Sequence, residues 1–425
     1  MKQIVFIITS VLSISVFAQT DYTEYKGKII NKETKKPVSY AHLQHKTLKI
    51  ITQANNEGIF VFKIPNKFVD DSLIISCVSY TTKIIAIKDV AKRKDIELIP
   101  VSVQLQSLTV HALPTGEYIL EQVKKHIKDN YYIDTTISTF FFRRYGIVDS
   151  NMIVFNEAIF DILRCGAGRK TGSFSYVLNK KSNFKKPLLY RLLIYDTLAV
   201  DTLSITSFHK NDIITFQEDT FFDIIEFPKL AYIFKKIKEF SFNVSVFNDA
   251  DSNKFYKIIA CPKKNTNKYE NIEIIVNTQN YVLTYIKYKL KSQTIQKTNS
   301  LQWAETLNEI YNIVIYSKIG NKYIMSKDDF YYDYTCYDSI AKPHNLKFSH
   351  VYSLIDLSKD TNSIRSFAAD STVLSRVPQK YDEIFTDSNY DESFWQQYNF
   401  VPLDTEIREN LNKAIKQKMG TKAKF

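Results

Sequence analysis

The sequence predicts a mainly β protein: an N-terminal seven-stranded β-sandwich, then a helix with an antiparallel β-meander, and finally a C-terminal helix. The 425 residues include 28 Tyr and 29 Phe but only 9 Gly. Together with frequent Ile, Val and Thr, this composition suits half-buried strands. Turn-forming groups of Asn, Asp and Gly also recur at short intervals, as they do between the strands of sandwiches and meanders.

The first eighteen residues have the layout of a secretory signal peptide. Lys2 precedes an apolar run that ends at Phe17, and the small residues Val16 and Ala18 stand at the minus-three and minus-one positions of a cleavage site. The apolar run is shorter than the roughly 20 residues that a membrane-spanning helix needs. We therefore expect cleavage after residue 18, export to the periplasm or the outer membrane, and no transmembrane helix in the mature chain.

Residues 19–110 predict the sandwich. Short strand-like segments are separated by turn signals, of which Asn55-Asn56-Glu57-Gly58 is the strongest. The predicted strands are Tyr25–Ile30, Val38–Lys46, Leu48–Gln53, Ile59–Ile64, Ser72–Tyr80, Lys83–Ile87 and Asp95–Ile99. About seven short strands in a segment of this length are typical of a β-sandwich.

Three blocks of this segment resemble the carboxypeptidase regulatory-like family. Gly27–Asn31 is similar to its G-x-V block, Pro37–Leu43 to its P-[IV]-x-x-A-x-V block, and Thr52–Phe60 to its T-x-x-x-G-x-F block. The resemblance implies a transthyretin-like or Ig-like sandwich that acts as a scaffold and carries no chemistry. The chain departs from the family at Ser79, because the family often has Gly before the aromatic residue that is Tyr80 here.

The histidines do not form a zinc carboxypeptidase motif. None of the seven is followed by Glu three residues later, as an H-x-x-E ligand pair requires. His42 and His45 lie three residues apart in a predicted strand, so their side chains should point to opposite faces. We interpret both as surface histidines and predict no shared metal.

Residues 111–348 predict a helix followed by an antiparallel β domain. The helix covers Glu117–Tyr132, and its apolar positions recur at spacings of three and four: Leu120, Val123, Ile127 and Tyr131. Strand signals continue to Asp328, with hairpin connections at 249–253, 277–280 and 320–321. This order is compatible with a half-barrel wrapped on a helix, like the lipoprotein-carrier fold, by fold-level analogy alone. Four segments resemble uncharacterised envelope proteins that place such a β-rich domain after this module: Glu117–Tyr132, Phe141–Arg144, Asn156–Ala158 and Phe394–Asn399.

Residues 349–425 predict a loop-rich segment that ends in an amphipathic helix near Thr405–Lys418. We expect Trp395, Tyr398 and Phe400 to anchor this segment on the β domain, because such side chains bury large areas. The formal net charge is +12, but lysines concentrate only after Arg408. A solvated basic tail explains that charge, so we predict no nucleic-acid partner.

The sequence predicts no catalytic, cofactor-binding or metal-binding residue. Gly166–Thr171 lacks the glycine positions of a phosphate-binding loop, and Asp249–Asn253 is followed by Lys254 where a calcium-binding EF-hand needs Gly. There is no G-x-S-x-G nucleophile motif. We interpret the acidic pairs Asp328-Asp329 and Asp382-Glu383 as solvated surface.

Four cysteines remain after cleavage, and they allow three disulfide pairings that the sequence does not separate. They are Cys77, Cys165, Cys261 and Cys336. We expect Cys77 to be a buried free thiol, because it follows an apolar strand-like run.

These features predict a non-enzymatic exported binding or scaffold protein of the bacterial cell envelope, without a cofactor, whose partner is an envelope protein or a glycan. Two alternatives stay open. One is a carrier of a lipid or another apolar ligand in the meander domain, favoured by the many aromatic residues. The other is an outer-membrane β-barrel, favoured by the Tyr- and Phe-rich strands and the terminal Phe425.

Overall fold

The fold is known from a computed structural model. It describes residues 22–100, 113–134, 136–164, 184–185, 189–195, 232–248, 253–264, 269–291, 293–297, 303–337, 342–357, 373–374 and 399–422. The predicted signal peptide, the segment Gly166–Thr171, the pair Asp382-Glu383, Trp395 and Tyr398 lie outside these ranges. The described residues form the predicted mainly β fold.

The N-terminal part is a seven-stranded sandwich. Its strands are β1 (Tyr22–Asn31), β2 (His42–His45), β3 (Ile51–Gln53), β4 (Ile59–Pro65), β5 (Ser72–Ser76), β6 (Lys83–Ala86) and β7 (Asp95–Leu98), with a short helix α1 (Ile87–Val90) after β6. One sheet has the order β4-β1-β7 and the other β3-β2-β5-β6. Strands β1 and β7 are parallel, and the other neighbours are antiparallel. Fully buried apolar side chains, including Leu43, Phe60 and Phe62, fill the space between the two sheets.

Two turns of the sandwich use left-handed backbone. Gly58 has φ +75°, and a Cβ atom added there would lie 2.3 Å from the carbonyl oxygen of Ile29, so only glycine fits. Ser79 has φ +67°. Glycine adopts this conformation without strain, which gives a physical reason for the Gly that the resembling family often has at this position.

The predicted helix over Glu117–Tyr132 is present with one break. Helix α2 (Gly116–Lys125) begins after Thr115, whose hydroxyl accepts a 3.2 Å hydrogen bond from the backbone N–H of Tyr118. His126 leaves the helical conformation at φ −97° and ψ 11°, and α3 (Ile127–Asn130) follows as a single turn.

The remaining described strands form one extended antiparallel sheet. They are β8 (Thr136–Val148), β9 (Asn151–Arg164), β10 (Phe184–Lys185), β11 (Leu189–Tyr195), β12 (Phe240–Asn248), β13 (Lys254–Pro262), β14 (Tyr269–Asn277), β15 (Leu283–Leu290), β16 (Gln293–Lys297), β17 (Trp303–Ile319), β18 (Lys322–Tyr337), β19 (Pro343–Asp356) and β20 (Val373–Leu374). The order is β12-β13-β14-β15-β17-β18-β19-β8-β9-β10-β20, with β11 beside β9 and β16 beside β17. The three predicted hairpins join β12 to β13, β14 to β15 and β17 to β18.

One difference from the sequence prediction concerns β19. The predicted boundary between residues 348 and 349 falls inside this strand, which continues to Asp356. The continuation is hard to recognise in the sequence because β19 is buried on both faces over most of its length, so apolar and polar residues do not alternate along it.

Helices α2 and α3 cover one face of the large sheet. Their buried side chains Leu120, Val123 and Ile127 pack against buried residues of the central strands, such as Ile274 and Ile286. The hydroxyl of Tyr131 donates a 2.7 Å hydrogen bond to the carbonyl of Leu283. The helix-covered face is therefore filled by side chains of the protein itself.

The C-terminal helix is present and packs on the opposite end of the sheet. Helix α4 (Tyr232–Lys235) is a single turn before β12, and the long helix α5 (Thr405–Lys422) closes the described chain. Ile407 and Leu411 pack against residues of β8 and β9. Phe400 anchors the preceding segment, as predicted, with its ring centroid 6.3 Å from that of Phe141. No helix among the described residues is both long and apolar enough to cross a membrane.

The sandwich docks on the large sheet and on the segment before α5. Main-chain contacts join the two parts, since Ile50 bridges to Asp356 and the N–H of Leu357 donates to the carbonyl of Lys49. Glu57, in the turn between β3 and β4, accepts hydrogen bonds of 2.7 and 2.8 Å from the N–H and hydroxyl of Thr405. The sandwich therefore contacts the first residue of α5 directly.

Candidate ligand cavity between the sandwich and the sheet

The candidate site is a cavity of about 860 Å³ between the sandwich and the large sheet. Its volume lies towards the upper end of the range of about 300–1,000 Å³ for small-molecule sites. One wall is the outer face of the sheet β3-β2-β5-β6, and the other is the face of the large sheet that α2 and α3 do not cover. The cavity thus belongs to neither part alone.

The wall that the large sheet contributes carries a row of apolar and aromatic side chains. Ile275, Tyr285 and Ile315 are register partners on β14, β15 and β17, so they form a row across three strands. At the β12–β13 hairpin, Phe247 and Phe255 stack with ring centroids 5.5 Å apart. This row and the stacked pair offer a surface that suits hydrocarbon.

The wall that the sandwich contributes carries a polar track along β2. His42, Gln44 and Lys46 alternate with core-facing residues, so strand periodicity places all three on the cavity face. The register partner of His42 on β5 is Ser76, which also lines the cavity. The two walls differ in character, and the space between them is amphipathic.

His42 is the deepest charged or titratable group on this track. Its side chain is buried, and among the described residues no donor or acceptor reaches its Nε2 atom. Burial lowers the pKa of His42 to about 4 and keeps the imidazole neutral near pH 7. The interpretation of His42 as a surface histidine is therefore wrong, because docking of the sandwich covers the face of β2 that would otherwise be solvated.

His45 points to the other face, as the strand spacing predicts, and it is also buried. Its Nδ1 atom accepts hydrogen bonds from the backbone N–H groups of Thr47 and Leu48, at 3.3 and 3.1 Å. Its Nε2 atom lies 3.2 Å from the carbonyl oxygen of Phe68. The surface interpretation is wrong here too, since His45 satisfies the turn after β2 inside the sandwich.

The rim of the cavity is exposed and basic. Lys46 comes from the sandwich and Lys318 from the end of β17, and both are exposed lining residues. Ile84 of β6, which also lines the cavity, is 61% exposed. No acidic residue lines the cavity in the part of the chain that the structure describes.

Cys77 lines the cavity as a free, half-buried thiol, and Cys261 is a free, exposed thiol. The Cys77 Sγ atom lies 3.6 Å from the carbonyl oxygen of Ser39, and burial raises its pKa to about 12. The thiol is therefore protonated at neutral pH and is a poor nucleophile. The side chains of Cys165 and Cys336 lie outside the described set, so the three disulfide pairings stay predictions.

The acidic pair Asp328-Asp329 is buried, so its interpretation as solvated surface is wrong. Asp328 accepts a 2.5 Å hydrogen bond from the amide of Asn312, and burial raises its pKa to about 8. Asp329 pairs with the ammonium of Lys327 at 2.9 Å. The Lys327 ammonium also lies 3.0 Å from the centroid of the Tyr40 ring, on the sandwich. The Lys327–Asp329 pair therefore lies where the sandwich meets β18, and neither carboxylate of the acidic pair is on the surface.

A second buried ion pair joins β8, β9 and the segment before α5. The Arg143 guanidinium contacts Glu157 at 2.6 Å and donates 2.6 Å and 3.3 Å hydrogen bonds to the carbonyls of Val401 and Pro402. Together with the Lys327–Asp329 pair, it borders a small polar cavity of about 110 Å³. Both ion pairs lie near the place where the sandwich, the large sheet and the segment before α5 pack together, and this packing accounts for their burial.

Comparisons with known proteins give weak structural likenesses. No protein-family model and no curated protein matches the sequence. Among solved structures, a LolA superfamily protein from Nitrosomonas europaea aligns over 59% of this chain and 97% of its own, with 10% identity and a TM-score of 0.22. The MucA/MucB complex of Pseudomonas aeruginosa aligns over 59% and 96%, with 7% identity and a TM-score of 0.16. Likenesses at this level assign no family and no ligand to this chain.

Proposed function

We propose that this chain is a non-catalytic binding protein that holds an apolar or amphipathic small molecule between its sandwich and its large sheet. The observation that carries the proposal is the cavity of about 860 Å³, which combines an apolar and aromatic row on the large sheet with a polar track on the sandwich. Ligand sites combine a mostly apolar lining with a few polar groups that fix orientation, and this cavity has both.

A half-barrel carrier would hold its ligand on the face of the meander that wraps the helix, whereas we place the ligand on the opposite face. The face of the meander that a half-barrel carrier would use is packed with α2 and α3, including the buried side chains of Leu120 and Val123. The opposite face of the meander carries Ile275, Tyr285 and Ile315, which line the cavity. The sandwich is then the second wall of the binding site, which gives a scaffold module a direct role in binding.

Two further parts of the proposal rest on the sequence. The signal-like segment at residues 1–18 supports export, and we propose the periplasm or the outer-membrane surface as the location. The three blocks between Gly27 and Phe60 support assignment of the sandwich to the carboxypeptidase regulatory-like family. The seven strands in two sheets agree with the fold that the resemblance implies.

Narrowing the cavity tests the proposal. Ser76 lines the cavity, so Ser76→Phe should fill part of it and weaken binding of the neutral fluorophore N-phenyl-1-naphthylamine by at least about tenfold, as expected when a ligand loses its space. Ser241→Phe is the matched control, because Ser241 is exposed on β12 and does not line the cavity. Fluorescence titration of the purified proteins gives both affinities.

Ile315→Trp is a second narrowing variant, in case Ser76→Phe fails to fold. Native mass spectrometry of the gently purified wild type should also detect a co-purifying molecule of low mass. The proposal is wrong if the wild type binds no apolar probe, or if both folded narrowing variants bind it as well as Ser241→Phe does.

A further inference from the structure

The rim and the interior of the cavity indicate what kind of amphiphile it accepts. This inference rests on the proposed function, because it concerns the same cavity. Lys46 lines the cavity from the sandwich and Lys318 lines it from the large sheet, and both are exposed. An anionic group at the exposed part of the cavity would therefore be attracted by a cation of either wall.

The charge around the rim favours an anion over a neutral or cationic group. No described residue that lines the cavity is acidic, so nothing inside would repel an anion or attract a cation. Asp71 is an acidic group near Lys46. Its carboxylate accepts hydrogen bonds from the Thr47 hydroxyl and from the backbone N–H of Ser72.

The interior offers a polar contact of a different kind. His42 lines the cavity, and no hydrogen-bonding group of the described protein reaches its buried Nε2 atom. An unsatisfied buried nitrogen of this kind is costly unless a ligand or a water molecule supplies a partner. A hydroxyl, ester or amide group within the ligand's chain could form that hydrogen bond.

We propose that the cavity binds a single-chain amphiphile with an acidic head group. The head lies at the rim between Lys46 and Lys318, and the chain lies on the apolar wall formed by Ile275, Tyr285 and Ile315. A polar group within the chain hydrogen-bonds to His42 Nε2. The apolar wall and the polar track on β2 each contact one side of the chain.

Head-group specificity is measured with four probes of equal chain length that displace N-phenyl-1-naphthylamine: hexadecanoic acid, hexadecyl phosphate, hexadecanol and hexadecylamine. The two acids should bind more tightly than the alcohol and the amine, and comparing them identifies carboxylate or phosphate as the preferred head. In Lys46→Gln/Lys318→Gln, the affinity for the acids should fall by about tenfold while the affinity for the alcohol stays unchanged. Lys88→Gln/Lys94→Gln is the control, because these exposed lysines do not line the cavity.

The outcomes separate this inference from the proposed function. Equal affinity for acid and alcohol, or an unchanged acid affinity in Lys46→Gln/Lys318→Gln, overturns the acidic head but leaves the cavity as a binding site. Binding of none of the probes to the wild type overturns both. Tighter binding of the amine would show that the rim does not select by charge as proposed.

The interior contact has its own test. Hydroxylated hexadecanoic acids, with the hydroxyl at the third or the twelfth carbon, should include one that binds the wild type more tightly than the plain acid. That gain should disappear in His42→Leu, while binding of the plain acid persists. If neither hydroxylated acid gains affinity, or if the gain survives in His42→Leu, the role of His42 is wrong.

Discussion

His42 combines a buried imidazole with a Nε2 atom that meets no described partner. Burial lowers its pKa from about 6.5 to about 4, so the folded protein resists protonation that the unfolded chain accepts. The stabilising effect of a neutral His42 is therefore complete above pH 6.5 and is lost as the pH falls towards 4. Acidification should weaken the fold through this residue.

The stability of the wild type relative to His42→Asn should fall between pH 7 and pH 5. The shift corresponds to about 2 kcal/mol, since the unfolded imidazole is protonated in this window while the folded one is not. Urea unfolding of both proteins at the two pH values measures the difference, and other titrating groups cancel because both proteins contain them. A pH-independent difference would show that His42 titrates normally.

Contacts between distant segments of the chain bury the residues that were wrongly predicted to lie on the surface. Asp328 is of a residue type that is mostly exposed in folded proteins, and His42 is of a type that is intermediate between exposed and buried. Asp328 is covered because it shares a face of the large sheet with its buried register partners Val314 and Tyr352. His42 is covered because the sandwich docks on the sheet. Strand periodicity predicted which way His42 and His45 point, but only the tertiary packing determines what they meet.

At the scale of elements, local signals predicted most of the structure. Alternation and turn residues located the seven sandwich strands, and the spacing of apolar residues located α2 and α3. Asn55-Asn56-Glu57-Gly58 was predicted as a turn, yet its contact with Thr405 of α5 was not. Sequence patterns report local conformation, whereas docking partners depend on side chains that are far apart in the chain.

The buried ion pair on β8 and β9 should stabilise the fold far more than a partly exposed ion pair on the same sheet. Glu157→Gln leaves the Arg143 guanidinium buried without a carboxylate and should lower the free energy of unfolding by about 3 kcal/mol. Glu273→Gln removes the carboxylate from the partly exposed Lys257–Glu273 pair and should cost less than about 1 kcal/mol. Urea denaturation curves of the two variants give the comparison, and equal losses would contradict the buried role of Arg143.

At the scale of the whole molecule, three parts meet in one small region. The turn between β3 and β4, strand β18 and the segment before α5 converge around the buried Lys327–Asp329 pair and Arg143. These contacts fix the sandwich relative to the large sheet and so define the width of the cavity. Sequence reasoning located each part separately, but the cavity exists only in their assembly.

Glu57→Ala should loosen this assembly. The Glu57 carboxylate accepts two hydrogen bonds at the first residue of α5, a position where a negative charge stabilises a helix. Its loss should cost about 1 kcal/mol and increase amide hydrogen exchange in α5. Glu33→Ala, at an exposed turn of the same sandwich, is the control. Unchanged exchange in α5 would show that Glu57 does not hold the helix.

The position of β8 in the large sheet has a consequence for how the chain folds. Its neighbours are β9, which follows it directly, and β19, so that Val148 pairs with Leu346 across most of the domain. Contacts between such distant segments form slowly, because a long loop must close before any bond is gained. Until β19 pairs with β8, the backbone N–H and C=O groups along one edge of β8 have no partner strand. Closure of β8 on β19 is therefore expected to be a late event, preceded by an intermediate with an exposed strand edge that is prone to aggregation.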